Sequence, residues 1–293
     1  MTLVIKIGGA QGVATDRLLD EIAQYMAAPQ ADRRVVLIHG GSQLTNELAT
    51  RLGHEVRTLT SPGGMTSRYT DRETLRIYAM AVAGQINTEI VASLQGRGLN
   101  ALGLAGVDGR LLLARRKTAI RSLTADGRVQ IVRDDYTGQI EQVNASLLNT
   151  LLDAGYLPVI APLALSYEGE RLNVDGDRAA AALAGALGAN ELVIATNVPG
   201  LLRDPGDPST LIAHIATGEL EAFTTFAQGR MRKKLLGARE ALAGGVQHIR
   251  IGNASLVELL RGAGTTIETA APASGDGGAC ETVAALVATN GKE

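Results

Sequence analysis

The sequence predicts an α/β protein in which helices cover both faces of a mainly parallel, open sheet, a three-layer αβα sandwich. Short apolar runs that end in glycine alternate with segments of helical periodicity, as in residues 3–9, 14–28, 35–38 and 42–52. A parallel sheet requires this alternation because each crossover between its strands carries a helix. The 293 residues suffice for one large domain or for two lobes.

The alternation continues up to residue 267. Strands are predicted at residues 3–7, 35–38, 101–104, 111–114, 128–132, 157–161, 192–195, 246–251 and 265–267. Helices are predicted at residues 14–28, 42–52, 75–95, 144–153, 178–187, 228–243 and 255–260. Residues 55–69 are expected to form a loop or loose hairpin, and Thr70 with Glu73 has the spacing of a capping box.

Residues 162–170 are predicted to connect two lobes. The expected division is therefore a lobe of residues 1–165, a lobe of residues 166–269 and a tail of residues 270–293. The tail is rich in Ala, Gly, Ser and Thr and has little periodicity, which predicts flexibility.

The composition argues against several classes of function. A net charge of −2 and a pI near 6.1 do not suit a nucleic-acid-binding surface. A single cysteine, Cys280, excludes an intrachain disulfide, and the four histidines lack the spacing of a zinc site, so no metal ligands are predicted. The uncharged run of residues 154–167 is too short to span a membrane, and core-like residues begin at position 3. We expect a soluble, cytoplasmic protein without a secretory signal.

A lysine stands inside the first apolar run. Lys6 is flanked by aliphatic residues, and Gly8 and Gly9 follow directly. A lysine in a buried strand is costly unless its ammonium meets an anion, and paired glycines let the backbone approach a ligand. The segment suggests a phosphate-binding edge, although an edge-strand lysine that reaches water explains it equally well.

Similar features recur at other turns and helix starts. Gly40 and Gly41 follow the second strand and open a helix, whose N-terminus favours anions. At the head of a later helix, Asp175 is interpreted as the cap and Asp177 as a functional carboxylate. Lys234 begins another helix behind two basic residues that are interpreted as solvent-facing.

Motifs for several other chemistries are missing from the sequence. No serine lies in a glycine-flanked elbow, and there is no Walker A pattern. The glycine pairs lack dinucleotide-binding spacing. A nucleotide, if bound, would have to be held in another way.

Together these residues resemble the amino acid kinase superfamily, in order and spacing, over roughly residues 2–268. Within it, the chain is most similar to the acetylglutamate kinase group, and there to the LysW-aminoadipate and LysW-glutamate kinases of carrier-protein lysine or arginine synthesis. The superfamily resemblance rests on residues 4–9, 39–41, 68, 173–177 and 229–234. The subgroup resemblance rests on residues 61–71, 106–109, 115–117, 135–138 and 227–231.

The resemblance implies that ATP, with Mg²⁺, phosphorylates a side-chain carboxylate to an acyl phosphate. A carboxylate is already nucleophilic at neutral pH, so no general base is needed. The implied site residues are Lys6, Lys234 and Asp177 as catalytic groups, Gly8 and Gly9 at the phosphate, Gly40, Gly41, Arg68 and Asn173 at the substrate, and Asn197, Gly200, Leu201 and Lys234 at the nucleotide. The backbone N–H groups of the four glycines would contact the phosphoryl oxygens and the substrate. The first lobe would bind the amino acid and form a dimer, and the second would bind ATP.

The resemblance also implies a protein partner. The expected substrate is aminoadipate or glutamate linked to LysW, an acidic carrier protein that would dock near the basic run of Arg115, Arg116 and Lys117, with Arg121 on the same basic rim. A solvated hairpin explains these basic residues equally well. Acetylglutamate kinases usually continue the second glycine turn with a further Gly and Pro, whereas Ser42 and Gln43 stand here, which favours the carrier-dependent branch.

The chain starts at the first strand, without the N-terminal helix of the family's arginine-inhibited hexamers, so a homodimer without arginine inhibition is expected. Two other functions stay open. One is an N-acetyl-L-glutamate kinase, and the other is a non-catalytic amino-acid sensor on the same fold.

Overall fold

A central sheet organises the protein, whose computed structural model describes residues 1–10, 12–28 and 33–268. The predicted tail, residues 270–293, lies outside these residues. Within them, the strands are β1 Thr2–Ile7, β2 Arg34–His39, β3 Thr58–Thr60, β4 Thr66–Arg68, β5 Ala101–Ala105, β6 Leu112–Arg116, β7 Ile120–Leu123, β8 Val129–Val132, β9 Gly138–Val143, β10 Leu157–Ala161, β11 Leu163–Leu165, β12 Arg171–Asn173, β13 Glu191–Ala195, β14 His214–Ala216, β15 His248–Gly252 and β16 Thr265–Glu268.

The helices of the described residues alternate with these strands. They are α1 Thr15–Ala27, α2 Ser42–Arg51, α3 Arg72–Ala79, α4 Asn87–Gly96, α5 Ala145–Asp153, α6 Gly176–Ala186, α7 Leu220–Phe223, α8 Arg230–Ala243 and α9 Leu256–Leu260. A π-helical segment, Met80–Ile86, joins α3 to α4, and short 3-10 turns occur at Asp108–Arg110, Pro208–Thr210, Thr217–Glu219 and Thr224–Phe226. None of these helices is long and apolar enough to cross a membrane.

The central sheet has eight strands in the order β14-β16-β15-β13-β1-β2-β10-β5. All neighbouring strands run parallel except β15 and β16. Strands from the first 161 residues form one half of the sheet, and strands from residue 191 onward form the other. The predicted α/β class with a mainly parallel sheet is confirmed.

Alternation along β1 assigns its side chains to two cores. Leu3, Ile5 and Ile7 pack against α1, α4 and α9 on one face of the sheet. Val4 belongs to the core on the other face, which includes residues of α6 and α8. Because successive side chains of a strand point to opposite faces, Lys6 shares the face of Val4 and is directed toward α6 and α8.

Smaller sheets lie beside the first half of the central sheet. A four-stranded sheet has the order β12-β11-β6-β9, and two hairpins are formed by β3 with β4 and by β7 with β8. The hairpin expected within residues 55–69 is therefore present. Residues 162–170, predicted as a connection, instead contain β11 and the turn into β12, so a boundary at 165 would cut a paired hairpin.

The predicted capping box at Thr70 is wrong. Asp71 caps α3, because its carboxylate accepts from the backbone N–H of Thr74 at 2.7 Å. Aspartate and threonine are both good N-caps, so the sequence pattern allowed either register. Arg115 and Arg116, which follow the strand predicted at residues 111–114, lie inside β6, where Ala114 packs into the core.

Candidate active site

A cavity of about 1410 Å³ opens where β1 and β2 end. The crevice beyond the carboxyl ends of parallel strands is the usual ligand site of an open α/β sheet. Residues from both halves of the sheet line the cavity, and every predicted site residue is among them.

Three charged side chains meet on the floor of this cavity. The Nζ atom of Lys6 lies 2.7 Å from Oδ1 of Asp177. The Nζ atom of Lys234 lies 3.3 Å from Oδ2 of the same carboxylate. Each of the three residues is only 6% exposed. The cluster carries two positive charges and one negative charge, and therefore suits an additional anion.

Local structure explains why these groups meet. The carboxylate of Asp175 caps α6 by accepting from the N–H groups of Asp177 and Arg178, at 3.0 and 3.2 Å. This confirms the interpretation of Asp175 as a cap, and it leaves the Asp177 side chain to the two lysines. Helices α6 and α8 approach closely because Gly237 faces Asp177, where an added Cβ would lie 3.0 Å from the Asp177 carbonyl oxygen.

Burial and charge shift the ionisation of this cluster. Burial acts to raise the pKa of Asp177, but the ammonium groups of Lys6 and Lys234 outweigh it and lower the pKa. Burial, assisted by the like charge of Lys6, lowers the pKa of Lys234 from 10.5 to about 8. Lys234 is therefore close to its titration range at neutral pH.

The two glycine turns are pressed against each other beside this cluster. An added Cβ on Gly9 would lie 2.3 Å from the Gly41 nitrogen, and one on Gly40 would lie 2.5 Å from the Gly9 nitrogen. Real Cβ atoms do not approach so closely, so only glycine fits at these positions.

Only part of the backbone in these turns is available to a ligand. The N–H of Gly8 donates to the Ala195 carbonyl at 3.0 Å, and that of Gly40 donates to the Ile7 carbonyl at 2.8 Å. The expectation that all four glycine N–H groups contact ligand is therefore corrected, since the sheet already uses two of them. In the described part of the chain, the N–H groups of Gly9 and Gly41 have no hydrogen-bond partner.

Arg68 and Asn173, the predicted substrate residues, both line the cavity. Arg68 donates to the side chain of Asn46 at 2.5 Å and to the Ser42 carbonyl at 3.0 Å, which places it beside the start of α2. Burial, followed by the nearby Arg230 charge, lowers its pKa. The Asn173 amide donates to the Thr70 hydroxyl at 3.0 Å.

The predicted nucleotide residues lie on the second half of the sheet. Asn197, Gly200 and Leu201 follow β13 and line the cavity together with the start of α8. The Leu201 N–H donates to the Thr265 hydroxyl at 2.8 Å. This segment therefore presents side chains to the cavity, whereas the Leu201 N–H is already engaged.

A comparison with protein families decides the identity of the fold. Residues 1–253 match the model of the amino acid kinase family. The chain belongs to the amino acid kinase family. Membership implies a kinase with ATP as its phosphoryl donor, and it confirms the superfamily predicted from the motifs around Lys6 and Asp177.

Relatives within the family agree with the predicted subgroup. The chain is 46% identical to the LysW-aminoadipate kinase of Deinococcus radiodurans, over 90% of this chain and 91% of that one. It is 40% identical to the acetylglutamate kinase of Methanopyrus kandleri, over 90% of this chain and 99% of that one. The crystal structure of smu.665 from Streptococcus mutans UA159 shares the fold, with a TM-score of 0.72 and 24% identity over 92% of this chain and 99% of that one.

Two buried polar groups next to the kinase site were missed by the sequence reasoning. His39 lies against Gly40, with its Nδ1 3.0 Å from the Gly40 carbonyl and its Nε2 3.2 Å from the Asn87 amide. Burial and the Lys6 charge lower its pKa to about 4, so it is neutral and Nδ1–H donates to the carbonyl. The position of His39 before a glycine pair was the available signal, but its partner Asn87 is 48 residues away.

The second missed group is Thr70, which connects Arg68 and Asn173, the two side chains predicted to bind the substrate. Its hydroxyl donates to the Arg68 carbonyl at 3.2 Å and accepts from Asn173. Its backbone N–H donates to the buried Asp135 carboxylate at 2.9 Å. No sequence pattern relates Thr70 to Asn173, which lies 103 residues away.

Proposed function

We propose that this chain transfers the γ-phosphoryl group of ATP to the side-chain carboxylate of aminoadipate or glutamate whose amino group is linked to the carrier protein LysW, as a step of lysine or arginine biosynthesis. The observation that carries the proposal is the buried pair of lysines held by Asp177, with two available glycine N–H groups beside it. The name of the Deinococcus relative supports the carrier-linked substrate.

The proposed chemistry needs positioning and charge neutralisation more than bond-making by the protein. A substrate carboxylate oxygen attacks the γ-phosphorus of ATP, the bond to the β,γ-bridging oxygen breaks, and ADP leaves with that electron pair. The ammonium groups of Lys6 and Lys234 neutralise charge that spreads over the phosphoryl oxygens and the leaving oxygen. Asp177 keeps them in place, and the N–H groups of Gly9 and Gly41 supply further hydrogen bonds.

The α-carboxylate and the acylated amino group of the substrate would be bound by Arg68 and Asn173. We propose that the Arg68 guanidinium pairs with the α-carboxylate, because it can make two parallel hydrogen bonds. Since the Asn173 amide nitrogen is used by Thr70, its oxygen is left to accept the N–H of an acylated amino group. Such an acceptor suits an amide-linked substrate.

Mg²⁺ is proposed to enter with ATP. Among the described residues, no group of three or more His, Cys, Asp or Glu side chains could hold a metal ion. Asp177 is occupied by two ammonium groups, and Asp175 caps α6. Phosphate oxygens and water would therefore supply most of the ligands, as is common for this ion.

N-Acetyl-L-glutamate kinase is the second candidate, and the 40% identity to an acetylglutamate kinase favours keeping it. Both candidates need the same centre and differ in what acylates the amino group. A non-catalytic sensor has less support, because it would have no need of the complete set of Lys6, Asp177 and Lys234.

A hydroxylamine assay distinguishes the candidates. Acyl phosphates react with hydroxylamine to give coloured hydroxamates, so their formation can be compared for LysW-aminoadipate, LysW-glutamate and N-acetylglutamate. The proposal expects the highest kcat/KM with a LysW-linked substrate. Preference for N-acetylglutamate would establish the second candidate, and absence of hydroxamate with all three would contradict both. Aminoadipate and glutamate differ by one methylene, which is worth about 1–3 kcal/mol in a pocket.

A further inference from the structure

The hairpin of β7 and β8 has an outer face that combines apolar side chains with arginines. The cross-strand pairs of this face are Arg121 with Ile131 and Leu123 with Val129. Ile131 is 58% exposed and Val129 is 47% exposed, although both are large aliphatic residues. Exposed aliphatic side chains next to each other on a strand are typical of an interaction surface.

The inner face of the same hairpin explains the orientation. Ser122 is 1% exposed, and its hydroxyl donates to the Thr60 carbonyl of the β3–β4 hairpin at 3.3 Å. Because side chains alternate along a strand, burial of Ser122 directs Arg121 and Leu123 outward. The exposure of the outer face is therefore fixed by packing between the two hairpins.

The charges on this surface are predominantly positive and unpaired. Within the described residues, the guanidinium groups of Arg121 and of Arg133, which follows β8, have no hydrogen-bonding, ionic or aromatic partner. Of the nearby carboxylates, Asp126 pairs with Arg128 at 3.0 Å, whereas Asp134 accepts from the Tyr69 hydroxyl and has no cationic partner among the described residues. An acidic partner would meet two available cations there.

The surface also lies at the rim of the cavity. Ile120, the first residue of β7, lines the cavity, as does Ser61, the neighbour of the Thr60 that Ser122 contacts. A partner seated on the outer face would therefore be close enough to extend a tethered amino acid inward.

The basic run predicted as the docking point is less suitable. The Arg116 guanidinium lies 3.7 Å from the centre of the Tyr136 ring, and its Nε donates to the Asp135 carbonyl at 2.9 Å. Arg115 pairs with Glu141 at 2.9 Å. Two of the three predicted cations are thus already neutralised or packed within the protein.

We propose that the outer face of the β7–β8 hairpin, formed by Arg121, Leu123, Val129, Ile131 and Arg133, docks an acidic carrier protein that presents its tethered amino acid to the cavity. The inference rests on the proposed function, because it assumes a substrate that arrives attached to a protein. The arginines would guide the encounter and the aliphatic residues would form its desolvated centre.

The test compares a tethered with a free substrate. Ile131→Glu and Arg121→Glu are measured with LysW-aminoadipate and with N-acetylaminoadipate, beside the matched controls Val257→Glu and Arg51→Glu at exposed positions elsewhere. We expect the hairpin variants to raise KM for the tethered substrate about tenfold or more, because an acidic partner is repelled, and to leave the free substrate unchanged. Both controls should match the wild type.

Three results would overturn the inference. They are an unchanged KM for the tethered substrate, an equal loss with both substrates, or a change in oligomeric mass of the hairpin variants, which would assign the face to a second copy of this chain. Failure of the proposed function has a different signature, since the unmodified protein would then phosphorylate only the acetylated substrate or neither of the two.

Discussion

At the scale of single residues, the site is centred on a buried cluster of three charged side chains, Lys6, Asp177 and Lys234. Burying charged groups is costly unless they are paired, and Asp177 pairs with both lysines at 2.7 and 3.3 Å. One positive charge is left over, and burial together with the like charge of Lys6 lowers the pKa of Lys234. A bound polyphosphate would supply the missing anions, which suits a site that must attract ATP.

The lowered pKa of Lys234 predicts that kcat/KM for ATP depends on pH. Lys234 is protonated below a pH of about 8 in the free protein and loses its charge as the pH rises through that value. We expect kcat/KM for ATP to fall above pH 8 with a single ionisation. Lys234→Arg keeps the charge at higher pH, so its profile should stay level there, whatever its absolute rate. A wild-type profile that is flat to pH 10 would contradict this role.

Removing the Thr70 hydroxyl is expected to change KM for the amino-acid substrate without changing KM for ATP. Thr70→Val keeps the shape of the side chain but removes the hydrogen bonds to Arg68 and Asn173. A neutral hydrogen bond contributes about 1 kcal/mol, so KM for the amino-acid substrate should rise about 5-fold to 10-fold, with KM for ATP unchanged. Thr70→Ser should restore the wild-type value. Equal changes in both constants, or no rescue by serine, would show that Thr70 has only a structural role.

At the scale of elements, the glycine turn of Gly40 and Gly41 packs against the π-helical segment Met80–Ile86. An added Cβ on Gly41 would lie 2.4 Å from a methyl group of Val82 and 3.1 Å from one of Ile86. Both residues lie within Met80–Ile86, where the helix departs from α geometry. Such segments are frequent at functional sites. Here it packs directly against one of the turns that bound the cavity.

This packing predicts a compensating pair of substitutions. Gly41→Ala should lower the free energy of unfolding by about 1–3 kcal/mol, since the added methyl overpacks the contact with Val82. Combining it with Val82→Ala should cost less than the sum of the two single changes, because the second makes room for the first. Urea denaturation of the four proteins measures the coupling. Strict additivity would show that the two positions do not touch.

The sequence predicted seven of the eight strands of the central sheet, because most of them are short apolar runs, but not β14, whose sequence HIA contains no such run. It missed β7 and β9, whose sequences IRSL and GQIEQV contain no apolar run. Only one residue of each strand is buried, so the apolar periodicity of both sequences is weak. The same limit applies to the site. Lys6, Asp177 and Lys234 stand in recognisable motifs, whereas the contacts of Thr70 and His39 depend on tertiary structure.

At the scale of the whole molecule, the two halves of the sheet suggest that the amino acid and ATP bind to different halves. We propose that the first half, with its hairpins, holds the amino acid and forms a homodimer, and that the second half holds ATP. Because β12 pairs with β11, we place the boundary after Asn173 instead of at 165. Light scattering tests the dimer, and a hexamer would contradict it.

The most direct test of the account concerns Lys6, the charge inside the first strand. In single-turnover experiments with ATP and LysW-aminoadipate, Lys6→Met should slow acyl phosphate formation by about 100-fold or more, the usual loss when one stabilising donor is removed from a transition state. The melting temperature should verify that the variant folds. A folded Lys6→Met protein that forms acyl phosphate at the wild-type rate would contradict the central claim that Lys6 takes part in phosphoryl transfer.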